Sequence, residues 1–219
     1  MPSSPRVWLI TGASRGLGHA FAQAALAAGD RVVALSRTPA ELEGDVLVLT
    51  ADVTDRAAVF AGTEQAVAPH LRASGGRLLQ VSSIGGVVSG PLAGLYSATK
   101  FALEGLTEAL AQELAPLGVK TTLVEPGGYW TDLYTSGMHL ATPLDVYAPL
   151  REGGGESIDS EPQLAAAAVM RLVDSDDPPL RLILGSAVLD AAIDITTERI
   201  ATWRRWETVS RAAERAVPA

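Results

Sequence analysis

The chain has 219 residues, 47% of them hydrophobic, with a mean hydropathy of +0.21 and a formal net charge of −8. That length can bury one substantial core and gives no sign of a second, so residues 1–219 are expected to form a single domain. The acidic balance argues against a nucleic-acid-binding face, the lack of cysteine excludes disulfides and Cys-ligated metals, and His19, His70 and His139 lack ligand spacing. No apolar run reaches the ~18 residues of a membrane span, and the N-terminus has no signal-like hydrophobic region. A cytoplasmic protein without metal or membrane contact is the expectation.

Along the chain, the apolar run Val7 to Ile10 predicts a first strand near 6–10. It leads into Thr11-Gly12-Ala13-Ser14-Arg15-Gly16-Leu17-Gly18 and then a helical stretch from His19 to Ala28, which Gly29 would end. A strand, a glycine turn and a helix give a dinucleotide what it needs. Glycines let the backbone approach the pyrophosphate, and the helix N-terminus offers unpaired N–H groups and the positive end of a dipole. Further strands are predicted near 31–35, 45–50, 77–82, 119–124 and 180–184, with helical segments between them. Such βαβ alternation predicts an α/β, Rossmann-like doubly wound parallel sheet of about six strands, with ligands at the carboxyl ends of the strands.

Ser83 follows the fourth strand, and Tyr96-Ser97-Ala98-Thr99-Lys100 opens a helix expected over 97–114. Residues at i and i+4 share a helix face, so Tyr96 and Lys100 are neighbours. A free tyrosine has a pKa of about 10, and a fixed cation nearby favours the phenolate, which suits the ring for acid–base work near neutral pH. An isolated Y-x-x-x-K on an amphipathic helix more often means a half-buried ring beside a solvated lysine. Here it comes in order after the glycine turn and a serine.

These three features together resemble the short-chain dehydrogenase/reductase family, whose pattern is T-G-x-x-x-G-x-G near the N-terminus, a serine, and Y-x-x-x-K. The resemblance extends to Ala51-Asp52-Val53 after the third strand, where the family's aspartate contacts adenine, and to Pro126-Gly127 with Thr131, which in the family hold the nicotinamide end. Taken singly, Asp52 reads equally as a helix N-cap, with Thr54 and Asp55 as rivals, and Pro126-Gly127 as a plain turn. The resemblance implies Ser83, Tyr96 and Lys100 as catalytic residues. It implies cofactor contacts from Gly12, Ser14, Arg15, Gly16, Leu17, Gly18, Arg37, Asp52, Val53, Tyr96, Lys100, Pro126, Gly127 and Thr131. The second strand ends in Ser36-Arg37 rather than in an acidic residue, and Arg15 lies in the glycine turn. Two guanidiniums and no carboxylate favour NADP(H) over NAD(H).

The chain departs from the family between Asp52 and Ser83. The expected strand ending in N-N-A-G and most of the next helix, with its catalytic asparagine, are missing, and the sequence contains no asparagine. Residues 54–76 read instead as one helical segment from Asp55 to Arg72, with Pro69 near its C-terminal part and Gly75-Gly76 ending it, and with the excision near Gly62-Thr63. If the sheet closes over the gap, the strand from Arg77 to Ser82 comes to lie beside the first strand, about 4.8 Å away. Redox chemistry on a hydrophobic carbonyl or alcohol is the leading expectation. A non-redox isomerase or cyclase and a silent binding protein are the alternatives.

Residues 129–160, with Tyr129, Trp130, Tyr134 and Gly153-Gly154-Gly155, match the family's substrate lid. Asp174 to Pro179 reads as a solvated loop, and Trp203 and Trp206 as core or interface packing. A homodimer or homotetramer is expected, with the helix from Ser97 to Leu114 available for pairing.

Overall fold

The structure is a computed structural model that describes residues 5–57, 68–137, 141–152 and 159–214. The strands are β1 (Val7–Thr11), β2 (Arg31–Ser36), β3 (Val46–Thr50), β4 (Arg77–Val81), β5 (Lys120–Pro126) and β6 (Arg181–Leu184). Helices α1 (Gly16–Ala27), α2 (Ala68–Ser74), α3 (Gly94–Leu114), α4 (Ala148–Glu152), α5 (Pro162–Asp174), α6 (Ser186–Arg205) and α7 (Glu207–Ala212) lie between and after them. All strand pairings are parallel and helices flank the sheets, so the Rossmann-like class predicted from the alternation is the one observed.

The six strands form two ladders, β1-β2-β3 and β4-β5-β6. The closure expected over the excision does not take place: β1 pairs with β2 and β4 with β5, and no ladder joins β1 to β4 among the described residues. Packing across the two ladders accounts for this. Helix α1, which follows β1, packs against α5, which precedes β6. Ile10 and Val32 of the first ladder share one apolar core with Val124 and Leu184 of the second, together with Ala22 and Ala25 of α1 and Ala166 and Val169 of α5. Burying alanines at the helix contact lets the two backbones approach closely, and sliding β4 toward β1 would break that contact. The predicted splice near Gly62-Thr63 lies outside the described residues.

Burial is one-sided in the first ladder. Val32, Ala34 and Ile10 face the shared core, whereas Val7 and Leu9 of β1 and Leu47 and Leu49 of β3 are exposed. The parallel register puts these four on one face, flanking Val33 and Leu35. A parallel sheet normally carries helices on both faces, so an exposed apolar face fits the missing helical segment.

One buried carboxylate ties the start of the chain to this frame. Asp30 accepts bonds from the Arg6 backbone N–H at 2.9 Å, Arg6 Nε at 2.8 Å and Trp8 Nε1 at 2.9 Å. Arg6 also pairs with Asp174 at 2.6 Å, so the segment expected to be a solvated loop begins with an anchored side chain at the end of α5. Burial acts to raise the Asp30 pKa, but the bonds from Trp8 and Arg6 outweigh it and hold it below the ordinary value of 3.8. A depressed carboxylate stabilises the fold above the unfolded-state value and loses that contribution as pH falls through the folded-state value. Asp30→Asn should therefore cost about 3 kcal/mol at neutral pH, measured by urea unfolding, and the penalty should shrink below the ordinary carboxylate range.

Candidate active site

The glycine turn is built as its sequence demands. Gly12 has φ +72° and Gly16 φ +59°, a left-handed conformation that β-carbons oppose. At Gly18 the constraint is contact: an added Cβ would lie 2.4 Å from the Gly12 carbonyl oxygen, so the first turn of α1 rests directly on the turn's backbone. Backbone N–H groups of Gly12 and Ala13 donate to the Leu35 carbonyl at 2.8 and 3.4 Å, tying the turn to the end of β2. Arg15 is the N-cap of α1 in extended conformation, and no side-chain bond closes that helix end. Thr38 bonds Ser14 at 3.3 Å, which brings the segment after Arg37 against the turn. Leu17 packs on the core edge.

Asp52 is exposed, and its carboxylate accepts from the Thr54 backbone N–H at 2.9 Å and the Thr54 hydroxyl at 2.8 Å. Those two bonds, the backbone one first, hold its pKa below the ordinary value, with Arg37 adding to the effect. These bonds close a turn, and the capping bond falls to the rival candidate Asp55, whose carboxylate accepts from the Ala57 N–H at 3.0 Å; Arg37 and Asp52 sit within electrostatic reach at the ends of neighbouring strands. Val53 is exposed beside Asp52.

Ser83, Tyr96 and Lys100 come together around the turn after β4. Ser83 is buried and caps the 3-10 turn Ile84–Gly86: its Oγ accepts from Gly85 N–H at 3.1 Å and donates to the Pro126 carbonyl at 3.5 Å. Tyr96 enters from α3 with its ring over Gly85, where an added Cβ would lie 2.9 Å from Tyr96 Cε1 and 3.6 Å from Ser83 Oγ. Glycine at 85 is what lets phenol and hydroxyl converge. Tyr96 as a residue is 45% exposed, which leaves it reachable from solvent. Lys100 Nζ lies 5.9 Å from the ring centroid and donates to the Val81 carbonyl at 3.3 Å. Burial pushes the Lys100 pKa down, and Glu104 one turn further along opposes that shift.

Across from this group, Gly127 N–H bonds the Leu184 carbonyl at 2.9 Å, and an added Cβ at Gly127 would meet Val188 at 2.9 Å. Thr131 reaches back to the glycine turn, its side chain 3.5 Å from where a Gly16 Cβ would stand. Tyr129 is buried in the core rather than offered to a ligand, and it bridges to Ser160 at the base of the segment. Trp130 and Tyr147 are exposed. Residues 138–140 and 153–158, including Gly153 to Gly155, lie outside the described residues. Trp203 and Trp206 are 67% and 59% exposed, so of the core and interface readings the core one does not hold, because the terminal helix turns that face outward.

Sequence reasoning missed a cluster behind Lys100. Arg181 of β6 pairs with Glu104 at 3.1 Å, Glu108 at 2.8 Å and Glu125 at 3.2 Å. Glu104 and Glu125 are almost wholly buried. Burial first, and then Glu104, push the Glu125 pKa from 4.5 to about 8, against the pull of Arg181. A charged residue at a regular strand position, Glu125 between Val124 and Pro126, was the available signal.

A tyrosine, a lysine and a serine beyond the strand ends of one parallel sheet, with a glycine turn at the strand end of the other, are the arrangement expected of a dinucleotide-dependent class of enzyme. The comparisons give the family. A profile described as short chain dehydrogenase matches residues 6–69 and again 54–138, two pieces that meet where the strand is missing. Oxidoreductase BOA17 of Botryotinia fuckeliana is 30% identical over 95% of this chain and 99% of its own length. That alignment runs over 272 positions, more than the 219 residues here, so the relative carries residues without a counterpart. A 3-ketodihydrosphingosine reductase of Bacteroides thetaiotaomicron is 31% identical over 84% of this chain and 89% of its own. Among solved structures, a short-chain dehydrogenase from Streptomyces avermitilis aligns over 98% of this chain and 100% of that one, with TM-score 0.83 and 31% identity. One from Burkholderia cenocepacia in complex with NADP shares the fold at TM-score 0.71 and 22% identity, covering 94% of this chain and 98% of that one. The chain belongs to the short-chain dehydrogenase family and is an oxidoreductase of that type.

Two outcomes test this geometry. Gly18→Ala should lower stability by about 2 kcal/mol, read by denaturant titration, because the methyl collides with backbone. The folded chain holds a proton at Glu125 that the unfolded chain releases between 4.5 and about 8, so stability falls as pH rises through that window. Glu125→Gln should flatten that fall when denaturation midpoints are compared at about pH 5 and about pH 9.

Proposed function

We propose that the protein is an NADP(H)-dependent oxidoreductase that interconverts a hydrophobic carbonyl compound and its alcohol, with Tyr96 as the general acid and base. The observation that carries this reading is the convergence of the Tyr96 ring and the Ser83 hydroxyl over Gly85, with Lys100 one helical turn away. The bare Gly12 surface, where an added Cβ would meet nothing within 4 Å, and the uncapped start of α1 fit a pyrophosphate. Arg15 and Arg37 fit a 2′-phosphate, Asp52 and Val53 the adenine end, and Pro126, Gly127 and Thr131 the nicotinamide end. When bound, the dinucleotide supplies or accepts the hydride.

During reduction the Tyr96 hydroxyl gives its proton to the substrate oxygen, and Ser83 donates a hydrogen bond to the same atom. The Gly85 N–H holds the Ser83 oxygen in place, and the hydroxyl proton turns from its long 3.5 Å contact with the Pro126 carbonyl to the substrate. Lys100 favours the phenolate that remains and holds the ribose. A relative named for a ketone substrate supports the carbonyl class. Exposed Trp130 and Tyr147 fit an apolar wall, with residues 129–160 as the lid. The second reading, a silent or non-redox protein, draws on the unbridged gap between β1 and β4. NADPH binding without any NADPH oxidation across a panel of ketones would favour it.

Tyr96→Phe should lower kcat by about 100-fold or more with little change in the NADPH dissociation constant, measured by NADPH absorbance and calorimetry. A retained rate removes Tyr96 from the chemistry. Arg37→Ala should weaken NADPH by on the order of tenfold and leave NADH unchanged; equal loss for both would remove the 2′-phosphate contact.

A further inference from the structure

We propose that Glu104 is a positioning residue for Lys100, acting with Glu125 and Arg181 as a buried carboxyl pair that sets the charge behind the Tyr96–Lys100 group; this rests on the reading of those two residues above. Glu104 and Lys100 are i and i+4 on α3, and the carboxylate favours the ammonium of that lysine against the cost of burial. The Glu104 side chain also packs on the turn that carries Ser83. An added Cβ at Gly86 would lie 2.9 Å from Glu104 Cγ and 2.9 Å from Ser82 Oγ. One side chain therefore touches the turn that aims Ser83 and acts electrostatically on the lysine that neighbours Tyr96.

Glu125 of β5 makes the arrangement titratable. The four carboxyl oxygens of Glu104 and Glu125 are buried without an aligned hydrogen-bond donor, although Arg181 lies within ion-pair distance of both residues. A proton shared by the two groups supplies a donor, and burial and mutual repulsion favour keeping it at neutral pH. The charged groups around the pair are Arg181 from β6 and Lys100 and Glu108 from α3, and the Ser82 hydroxyl faces it from the end of β4. With one proton on the pair these charges cancel. As the proton leaves, the added negative charge holds Lys100 more firmly as an ammonium, which preserves the cation beside Tyr96 as pH rises. The role belongs to Glu104 and not to its neighbour Glu108, because Glu104 is buried and on the lysine side of the cluster while Glu108 is solvated.

Lys100 and Lys120 are the only lysines in the chain, so protein labelled with carbon-13 at the lysine ε position gives two resonances, assigned with Lys120→Arg. In the cofactor-free protein, Glu104→Gln should move the Lys100 titration to lower pH than in the wild type and leave Lys120 in place. Glu108→Gln should move Lys100 less. An unmoved Lys100 in Glu104→Gln, or an equal shift in Glu108→Gln, overturns the proposal. Should Glu104→Gln fail to fold by circular dichroism, Glu125→Gln serves. It removes the negative charge that the pair gains as its proton leaves, so Lys100 should again titrate at lower pH than in the wild type with Lys120 in place, and an unmoved Lys100 overturns the proposal. The readout needs neither NADPH nor turnover. A shifted Lys100 in a chain that never oxidises NADPH supports the positioning role while removing the redox reading; an unmoved Lys100 in an active enzyme removes the positioning role alone.

Discussion

The contact between α1 and α5 is the constraint on which the arrangement of this molecule depends. Each three-stranded ladder satisfies its own hydrogen bonds, and no ladder joins β1 to β4 among the described residues. Hydrogen bonding therefore does not set the distance from the glycine turn, which follows β1, to Ser83, which follows β4. Apolar packing sets it, through alanine and valine side chains on α1 and α5 and the shared core under both ladders. Such packing is non-directional, but close-packed interiors resist displacement because each side chain fills its neighbours' space. The Arg6 bonds to Asp30 and Asp174 add direction, since they tie the chain start to β2 on one side and to the end of α5 on the other.

This division explains why the loss of a strand leaves the proposed site recognisable. Ser83, Tyr96, Lys100 and Pro126 all belong to the second ladder and the helix packed on it, and their mutual contacts run through Gly85 and Val81. None of these contacts crosses the gap. The glycine turn, Arg37 and Asp52 form a second local group at the ends of β1, β2 and β3. The gap thus falls between two local groups, and a side chain that spans them is Thr131, set against Gly16.

Most of the regular structure was legible because short apolar runs bounded by glycine and proline carry their own punctuation. Each of the six strands starts and ends within a residue or two of its predicted position, and α1 ends before Gly29, which takes φ +83° as a terminating glycine should. Ser83, Tyr96 and Lys100 were legible as residue types at fixed spacing, and Gly85 as the reason they meet was not, since contact across a turn leaves no periodic mark. The open gap was misjudged because sheet pairing was weighed without the helices, whose packing opposes closure. Spacing alone did not separate the core from the interface reading of Trp203 and Trp206, since it does not say which way a helix face turns. Glu104, Glu125 and Arg181 lie on a helix and two strands far apart in sequence, so only the fold brings their charges together.

Under the proposed function the two local groups meet through a single ligand, which puts the demand for precision on the seam. A misplacement of about 1 Å at a reacting centre can cost about a hundredfold in rate. In a continuous sheet the hydrogen-bond ladder would fix the relation of turn to tyrosine at strand spacing. Here the same relation depends on how firmly α1 sits on α5 and on the contact of Thr131 with Gly16. The buried residues Ala22, Ala25, Ala166 and Val169 would then bear on the geometry between hydride and proton donor as well as on stability. Under that function the packing of the core is part of the chemistry, because no hydrogen-bond ladder joins β1 to β4 among the described residues.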